Sequence, residues 1–479
     1  MFLTRFYNEQ LAQASYMVGC AASGEALVID PTRDVEQYMA RAAAEGLRIT
    51  HVTETHIHAD FVSGSTALAE RAGARLYVSD EGGADWKYAF AAERGAVLLR
   101  DGASFNVGAV RVDVLHTPGH TPEHLSFVIT DTAAANEPIG IFTGDFVFVG
   151  DVGRPDLLER AAKQAGTMET SARQLFHSLH RLERYSDYVQ IWPGHGAGSA
   201  CGKALGAVPQ TTLGYERRFN WAFAPRAEDE FVRMVLAGQP EPPPYFAQMK
   251  RINKCGPRIL GAHAPATLSP ERFIVVADGG DVLLLDVRPA ADVATARIPG
   301  AINIPLDRSF TTWAGWLILY DRDIVLIASD DAGAADATRR LAMIGLDRVA
   351  GTVPAAHAHD AWTRAGRQLD TIPQITPAEL ASRLASHDVA VVDVRNRAEW
   401  DAGHLPGAAN IPLGQLPDRL AELPAGRPIV VQCQAGSRSA IAASVLRARG
   451  LSATQNLTGG FGAWERAGLA VEKSESVGQ

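Results

Sequence analysis

The chain has 479 residues, which at about 150 residues per domain leaves room for about three domains. Hydrophobic residues make up 47% and charged residues 21%, the balance of a globular protein and not of a disordered one. With 45 Lys and Arg against 54 Asp and Glu the net charge is −9, and no basic run supplies the clustered cations that nucleic acid requires.

Met1 to Gly19 mixes Arg5, Glu9 and Gln10 into its apolar residues, unlike the basic region and apolar core of a signal peptide. No apolar run approaches the ~20 residues needed to span a bilayer, so no membrane partner is expected. Four cysteines cannot make a disulfide framework in a chain of this length. The expectation is a cytoplasmic protein with reduced thiols.

Glu25 to Asp30 reads as a buried strand, Val35 to Glu45 as a helix, and Ile49 to Thr55 as a strand entering a histidine-rich loop. Short β-rich runs follow at Arg75 to Val78, Val110 to Leu115, Leu125 to Ile129 and Ile139 to Phe142. Met168 to Leu182 reads as a helix and Tyr188 to Trp192 as a strand. Packed sheets with helices outside account for this pattern. The domain is expected to span 1–237. A linker over 238–265 follows, because Pro240, Pro242, Pro243 and Pro244 favour extended backbone.

The rest of the chain repeats itself. Leu284-Leu285-Asp286-Val287-Arg288 echoes Val391-Val392-Asp393-Val394-Arg395, and Pro299 to Pro305 echoes Pro406 to Pro412. The offset is 107 residues at Asp286 and Asp393, at Pro299 and Pro406, and at Asn303 and Asn410. That spacing marks two domains of one fold, expected at 266–366 and 374–472, and not a solenoid. Each copy alternates strands and helices, which predicts α/β domains with mainly parallel sheets.

Thr55-His56-Ile57-His58-Ala59-Asp60-Phe61 follows a predicted strand, and residues two apart in extended backbone point the same way. His120, Asp145 and His195 lie at further predicted strand ends, in Thr117-Pro118-Gly119-His120, Thr143-Gly144-Asp145 and Pro193-Gly194-His195. Imidazole and carboxylate suit a borderline divalent metal. His51, His116, His124, His177 and His180 lack such a context and read as satisfied or exposed side chains.

The ordered set of motifs resembles the metallo-β-lactamase fold, which implies an αββα sandwich. Binuclear members carry a further histidine where this chain has Phe61, a side chain without a donor, so one metal is expected. Within that fold the chain resembles persulfide dioxygenases, through Thr55 to Asp60, Gly144-Asp145 and Gly153-Arg154-Pro155-Asp156. The resemblance implies one iron(II) per chain, with zinc as a substitute, held by His56, His120 and Asp145. His58, Asp60 and His195 are then expected to orient the ligands from outside. Thioester hydrolysis of the glyoxalase II type is the rival reading.

Val430-Val431-Gln432-Cys433-Gln434-Ala435-Gly436-Ser437-Arg438-Ser439 runs from an apolar strand into a predicted helix. Converging amides, a helix N-terminus and Arg438 would stabilise a Cys433 thiolate. Gln434, Ala435, Gly436 and Ser437 would cradle the outer sulfur of a persulfide. With Asp393-Val394-Arg395, Gly403 to Ala408 and Gly459-Gly460-Phe461 to Trp464, the last hundred or so residues resemble the rhodanese family. His404 belongs to a structural motif of that family. Only four residues separate Cys433 from Arg438, a shorter loop than the one that holds phosphate in cysteine phosphatases.

The first copy has Ala328 opposite Cys433, followed by Ser329-Asp330-Asp331, and is expected to be inactive, with a structural or docking role. Cys201 lies six residues beyond His195 in a glycine-rich run, with Lys203 close by to favour a thiolate. It is a candidate sulfur relay, with a buried structural thiol the equal alternative. Cys20 and Cys255 read as structural.

The resemblance extends over almost the full chain, to a persulfide dioxygenase–rhodanese fusion. It implies oxidation of a thiol persulfide, such as that of glutathione, by O2 to sulfite. It also implies sulfur transfer through Cys433 that forms or uses thiosulfate. A homodimer or homotetramer is the assembly implied. A non-catalytic sulfide-responsive binding protein is a third reading.

Overall fold

The computed structural model describes residues 1–160, 166–261 and 265–473. It has two compact units, the first built mainly from Met1–Gly261.

In the first unit, β1 (Phe2–Asn8), β2 (Gln13–Cys20), β3 (Glu25–Ile29), β4 (Arg48–Thr53), β5 (Arg75–Ser79) and β6 (Val97–Leu99) form one sheet in sequential order. A second sheet joins β7 (Ser104–Val107), β8 (Val110–His116), β9 (Leu125–Asp131), β10 (Gly140–Gly144), β11 (Gln190–Pro193) and β12 (Thr211–Thr212) in the reverse order. Both sheets are mixed: β3 to β6 pair in parallel, as do β10 and β11, and their other pairs are antiparallel.

Alternation sorts the side chains of each strand onto two faces. On β3, Leu27 and Ile29 enter the core between the sheets, with Val112, Phe127, Phe142 and Trp192. Its Val28 faces the other way, into a core with Tyr38 and Leu68 of the Glu36–Ala44 and Ser65–Ala72 helices. On the far sheet, Val128 and Ile141 pack against Leu175 and Phe231 of the Met168–His180 and Glu228–Leu236 helices. The result is the αββα sandwich of the metallo-β-lactamase fold.

Several boundaries differ from the sequence expectation by a residue or two. The strand that was expected to include Asp30 ends at Ile29, because Asp30 turns into left-handed backbone (φ 51°). The strand expected from Tyr188 begins at Gln190, leaving Tyr188 exposed. The segment expected as a linker contains a helix, Phe246–Cys255, that packs in this unit through Phe246 and Met249.

The second unit holds two all-parallel sheets. The first has β13 (Val282–Asp286), β14 (Ile302–Asn303), β15 (Asp323–Ala328) and β16 (Val349–Pro354), in the order β14-β13-β15-β16. The second adds β17 (Gln374–Ile375), β18 (Ala390–Asp393), β19 (Ala409–Asn410), β20 (Ile429–Gln432) and β21 (Gln455–Leu457), in the order β17-β21-β20-β18-β19. Asp286 pairs with Ile327, and Asp393 with Gln432, so the register puts Ala328 where the second copy has Cys433. Among the described residues no helix is long and apolar enough to cross a membrane.

Candidate functional site: a histidine–carboxylate centre and a cysteine loop

The loop after β4 carries His56 and His58 into the interior at the end of the sandwich. Asp30 organises this loop. Its carboxylate accepts from the Thr55 amide (2.6 Å), the Thr55 hydroxyl (2.9 Å) and His58 Nε2 (3.0 Å). Since Thr55 Oγ1 donates to Asp30, it accepts from His56 Nδ1 (3.0 Å), which leaves the His56 Nε2 lone pair free.

His120 and His195 are fixed in the same tautomer. His120 Nδ1 donates to the Arg154 carbonyl (3.1 Å) and His195 Nδ1 to the Ala12 carbonyl (3.0 Å). Their Nε2 atoms face Asp145 from opposite sides: His120 lies 3.5 Å from Oδ2 and His195 3.4 Å from Oδ1. His56 Nε2 lies 4.0 Å from Asp145 Oδ2, which has no hydrogen-bond partner.

The donor atoms of His56, His120 and Asp145 all lie within 4.8 Å of one another, and all three residues are buried. Metal–donor bonds of about 2.1 Å put neighbouring donors about 3–4 Å apart, so this set fits a divalent ion. Burial, reinforced by the surrounding histidines, holds His56 well below the usual imidazole range, and burial also lowers His120. Both are therefore neutral donors. For Asp145 burial favours the protonated acid, but the positive charge around it, that of His195 first and with His58 adding to it, outweighs burial and holds the carboxyl below its usual range. Two neutral imidazoles and one carboxylate match the donor set of non-haem iron(II) and leave positions open.

His58 does not face this set with Nε2, which is taken by Asp30. Burial disfavours its charge, yet Asp30, Glu54 and Asp60 raise it to about 9. Phe61 is fully buried and packs on the His58 ring at 4.4 Å, filling its place with hydrocarbon. Asp60 and His195 sit together, 3.3 Å apart, on the far side of Asp145.

Cys201 is buried beside Asp60 and His195. Lys203 does not favour its thiolate, as the sequence had led us to expect: Lys203 Nζ donates to the Met234 and Ala237 carbonyls. Burial, followed by the charges of Asp145 and Asp60, pushes the Cys201 thiol well up.

Several positioning residues have no motif to announce them. His124 reads from sequence as one satisfied histidine among others, yet its Nε2 accepts from the Asp145 amide (3.1 Å) and its ring stacks on His56 at 5.1 Å. Thr117 Oγ1 lies 2.8 Å from the opposite ring nitrogen. Glu123 accepts from the Ile57 amide (2.8 Å), and burial raises it to about 7. Asn253, on the Phe246–Cys255 helix, donates to the His58 and Phe61 carbonyls. Arg154 is fully buried, forks onto Asp156 and donates to the Ala200 and Pro240 carbonyls. Gly144 adopts a positive φ of 48°, and a Cβ there would lie 2.5 Å from Thr55 Oγ1 and 2.9 Å from His124 Nε2. Only the fold brings these residues to the centre.

In the second unit Cys433 ends β20 and lies beneath a turn that leads into the Ser437–Ala448 helix. The Gly436 amide donates to Cys433 Sγ at 3.1 Å, and Ser439 Oγ lies at 3.5 Å. The Cys433 carbonyl accepts from the Phe461 amide and the Gln434 carbonyl from Gly462, which ties the loop to the Gly459-Gly460 turn. Gln434, Ala435 and Ser437 are exposed around the buried thiol. Arg438 is not aimed at Sγ as a free cation. Its guanidinium forks onto Glu399 at 2.7 and 2.8 Å, so its charge is shared with a carboxylate.

Residues 9–195 match the family model described as the metallo-beta-lactamase superfamily, and residues 269–351 and 376–467 match the rhodanese-like domain. Persulfide dioxygenase ETHE1, mitochondrial, of Bos taurus is 30% identical over 200 residues, 41% of this chain and 68% of the relative. The chain belongs to the persulfide dioxygenase–rhodanese fusions of the metallo-β-lactamase superfamily. A sulfurtransferase of Allochromatium vinosum matches the fusion chain at 37% identity over 105 residues, 22% of this chain and 98% of the relative. A crystal structure described as a metallo-beta-lactamase from Staphylococcus aureus subsp. aureus COL is 43% identical to the fusion chain. It covers 74% of this chain and 99% of its own, with a TM-score of 0.66.

Proposed function

We propose that this fusion oxidises a low-molecular-weight thiol persulfide with O2 at the His56–His120–Asp145 centre and transfers sulfane sulfur at Cys433. The single observation that carries the reading is the donor set. His56, His120 and Asp145 converge on one point, while Phe61 replaces the imidazole of a binuclear site. An iron(II) ion held there would supply open coordination positions and the redox chemistry that dioxygen requires.

The remaining roles belong to the chain itself. Asp30, Arg154 and Ala12 hold the three imidazoles with Nε2 inward. His124 fixes the backbone of Asp145. The overall oxidation balances as thiol persulfide, O2 and water giving thiol, sulfite and two protons. At the second site the Cys433 thiolate attacks the outer sulfur of a persulfide, forming a Cys433 persulfide and releasing the carrier thiolate. The Gly436 amide is placed to stabilise the negative sulfur. Attack by sulfite on that outer sulfur frees Cys433 and gives thiosulfate, and the reverse runs by the same steps. The proposal includes a cytoplasmic site of action and an assembly of two or four chains, which fractionation and light scattering test.

The deciding experiment is oxygen uptake by iron(II)-loaded protein supplied with glutathione persulfide, with bound metal measured on the same sample. Uptake that is lost in His120→Ala supports the reading. Absence of uptake together with thioester hydrolysis by a zinc-loaded sample moves the assignment to a hydrolase.

A further inference from the structure

We infer that a cavity over the degenerate loop of the first rhodanese-like domain holds the carrier of the persulfide that Cys433 exchanges, and that it selects a thiol bearing an ammonium group over one bearing phosphates. The inference rests on the sulfur-transfer reading of Cys433 and names the substrate class for it.

Position is the first observation. The cavity has a volume of about 510 Å³, within the range that takes a small-molecule ligand. It opens at the carboxyl ends of β13, β14 and β15. The order β14-β13-β15-β16 sends the chain from β13 to one side for β14 and to the other for β15. Open parallel sheets bind ligands at such a switch point. The wall is completed by the other repeat, through Ser437 and Ile441 of the Ser437–Ala448 helix. Ser437 directly follows Gly436, whose amide donates to Cys433 Sγ at 3.1 Å. A molecule in the cavity therefore abuts the persulfide cradle.

Charge is the second. Asp330 Oδ1 accepts from the Gly333 amide (2.8 Å), and Asp307 Oδ1 accepts from the Ser309 amide (2.7 Å) and hydroxyl (2.8 Å). These acids occupy helix-end donors that an anionic ligand would otherwise use. Arg340 reaches the same corner, but it donates to the Asp307 carbonyl and pairs with Asp336. The cavity thus presents carboxylates where the Cys433 loop presents amides to a negative sulfur. Trp313, on the Phe310–Leu317 helix, and Val287 add apolar wall, and an indole ring also attracts an ammonium. Phosphates meet two like charges there.

In the transfer, the carrier thiolate attacks the outer sulfur of the Cys433 persulfide. The bond between that sulfur and Cys433 Sγ breaks, its electron pair stays on Cys433 as thiolate, and the carrier leaves as a persulfide. The reverse loads Cys433. Asp307, Asp330 and Trp313 touch the carrier alone, so they set specificity and take no part in the sulfur exchange itself.

The test uses the full-length protein with thiosulfate as sulfur donor and four acceptors. These are glutathione, N-glutaryl-cysteinylglycine (the same peptide without its ammonium), coenzyme A, and cyanide, which has no carrier. Glutathione is expected to exceed both the glutaryl peptide and coenzyme A in kcat/KM by at least about fivefold. In the double variant Asp307→Asn, Asp330→Asn the ratio of glutathione to glutaryl peptide should fall to near one, through KM. Asparagine keeps the oxygen that caps each helix, so the fold is retained. Trp313→Leu should lower the same ratio. A parent ratio near one, a coenzyme A rate equal to that of glutathione, or a ratio that the double variant leaves in place overturns the inference. Where transfer to cyanide persists, such a result overturns this inference alone. A parent protein without transfer to cyanide overturns the Cys433 reading, and this inference with it.

Discussion

In the first rhodanese-like domain Arg288 forks onto Asp286 and donates to the Ala296 carbonyl, while Asn303 donates to the Asp286 and Arg288 carbonyls. In the second, Arg395 forks onto Asp393 and donates to Gly403, and Asn410 donates to Asp393 and Arg395. The same polar frame therefore recurs at each repeat position. What differs is the loop after the central strand. One copy has Ala328-Ser329-Asp330, whose Asp330 caps the next helix through the Gly333 amide. The other has Cys433, with the Gly436 amide on its sulfur. The frame is common to both copies, and the loop after the central strand is where they part.

The first copy also buttresses the second. Ser444, on the helix that follows the Cys433 loop, accepts from the Asn303 amide at 2.8 Å. Arg297 and Arg447 both reach Asp370. Residues Ser439 to Leu446 of that helix are buried on every side, which explains a helix with no polar face. A degenerate loop is compatible with this supporting role, since the contacts come from elsewhere in the domain.

Five substitutions would break or sharpen this contrast. Cys433→Ser removes the nucleophile and should lower sulfur transfer by ~10³-fold or more, measured with thiosulfate and cyanide, whereas Ala328→Ser should leave the rate unchanged. Equal losses at both positions would show that the first copy is catalytic after all. Gly460→Ala should cost about 3 kcal/mol in a denaturant titration. Gly460 has a φ of 57°, and an added Cβ would lie 2.1 Å from the Cys433 carbonyl oxygen. A midpoint like that of the parent would refute the tight packing beneath the loop.

Ser444→Ala strands the Asn303 amide and should cost about 1–3 kcal/mol. The loss should be read in both repeats at once by hydrogen exchange; a loss confined to the second would argue against buttressing. Gly333→Ala, in the first copy, meets no heavy atom nearer than 3.4 Å and lies in the Asp331–Met343 helix. It should raise stability slightly, by up to ~0.5–1 kcal/mol. A measurable fall would mean that the degenerate loop is as tightly packed as its counterpart.

Much of this was legible in one dimension. The 107-residue offset exposes the duplication, and pairing Ile324 with Ile429 identifies Ala328 as the counterpart of Cys433. The His56, His120 and Asp145 spacing also survives as a pattern, because each sits at a strand end, where the chain must turn toward one edge of the sandwich. Arg438 shows the limit of such reading. As a residue near Cys433 it looks like a free cation, but Glu399, 39 residues earlier, neutralises it.

The sequence by itself determined the packed sheets with outer helices, the doubled α/β architecture, the alanine that stands in the first repeat where the second has Cys433, and the donor types carried by individual side chains. These follow from local periodicity, from internal duplication and from donor chemistry carried by individual side chains. Only the tertiary structure decided the tautomers of the histidines, the placing of His124, Asp30 and Arg154 around His56, His120 and Asp145, and the meeting of Cys201 with Asp60. Those depend on contacts between segments as much as 183 residues apart, such as His195 with Ala12. Hydrogen-bond geometry across such distances is set by how sheets and loops pack, and no local pattern encodes it.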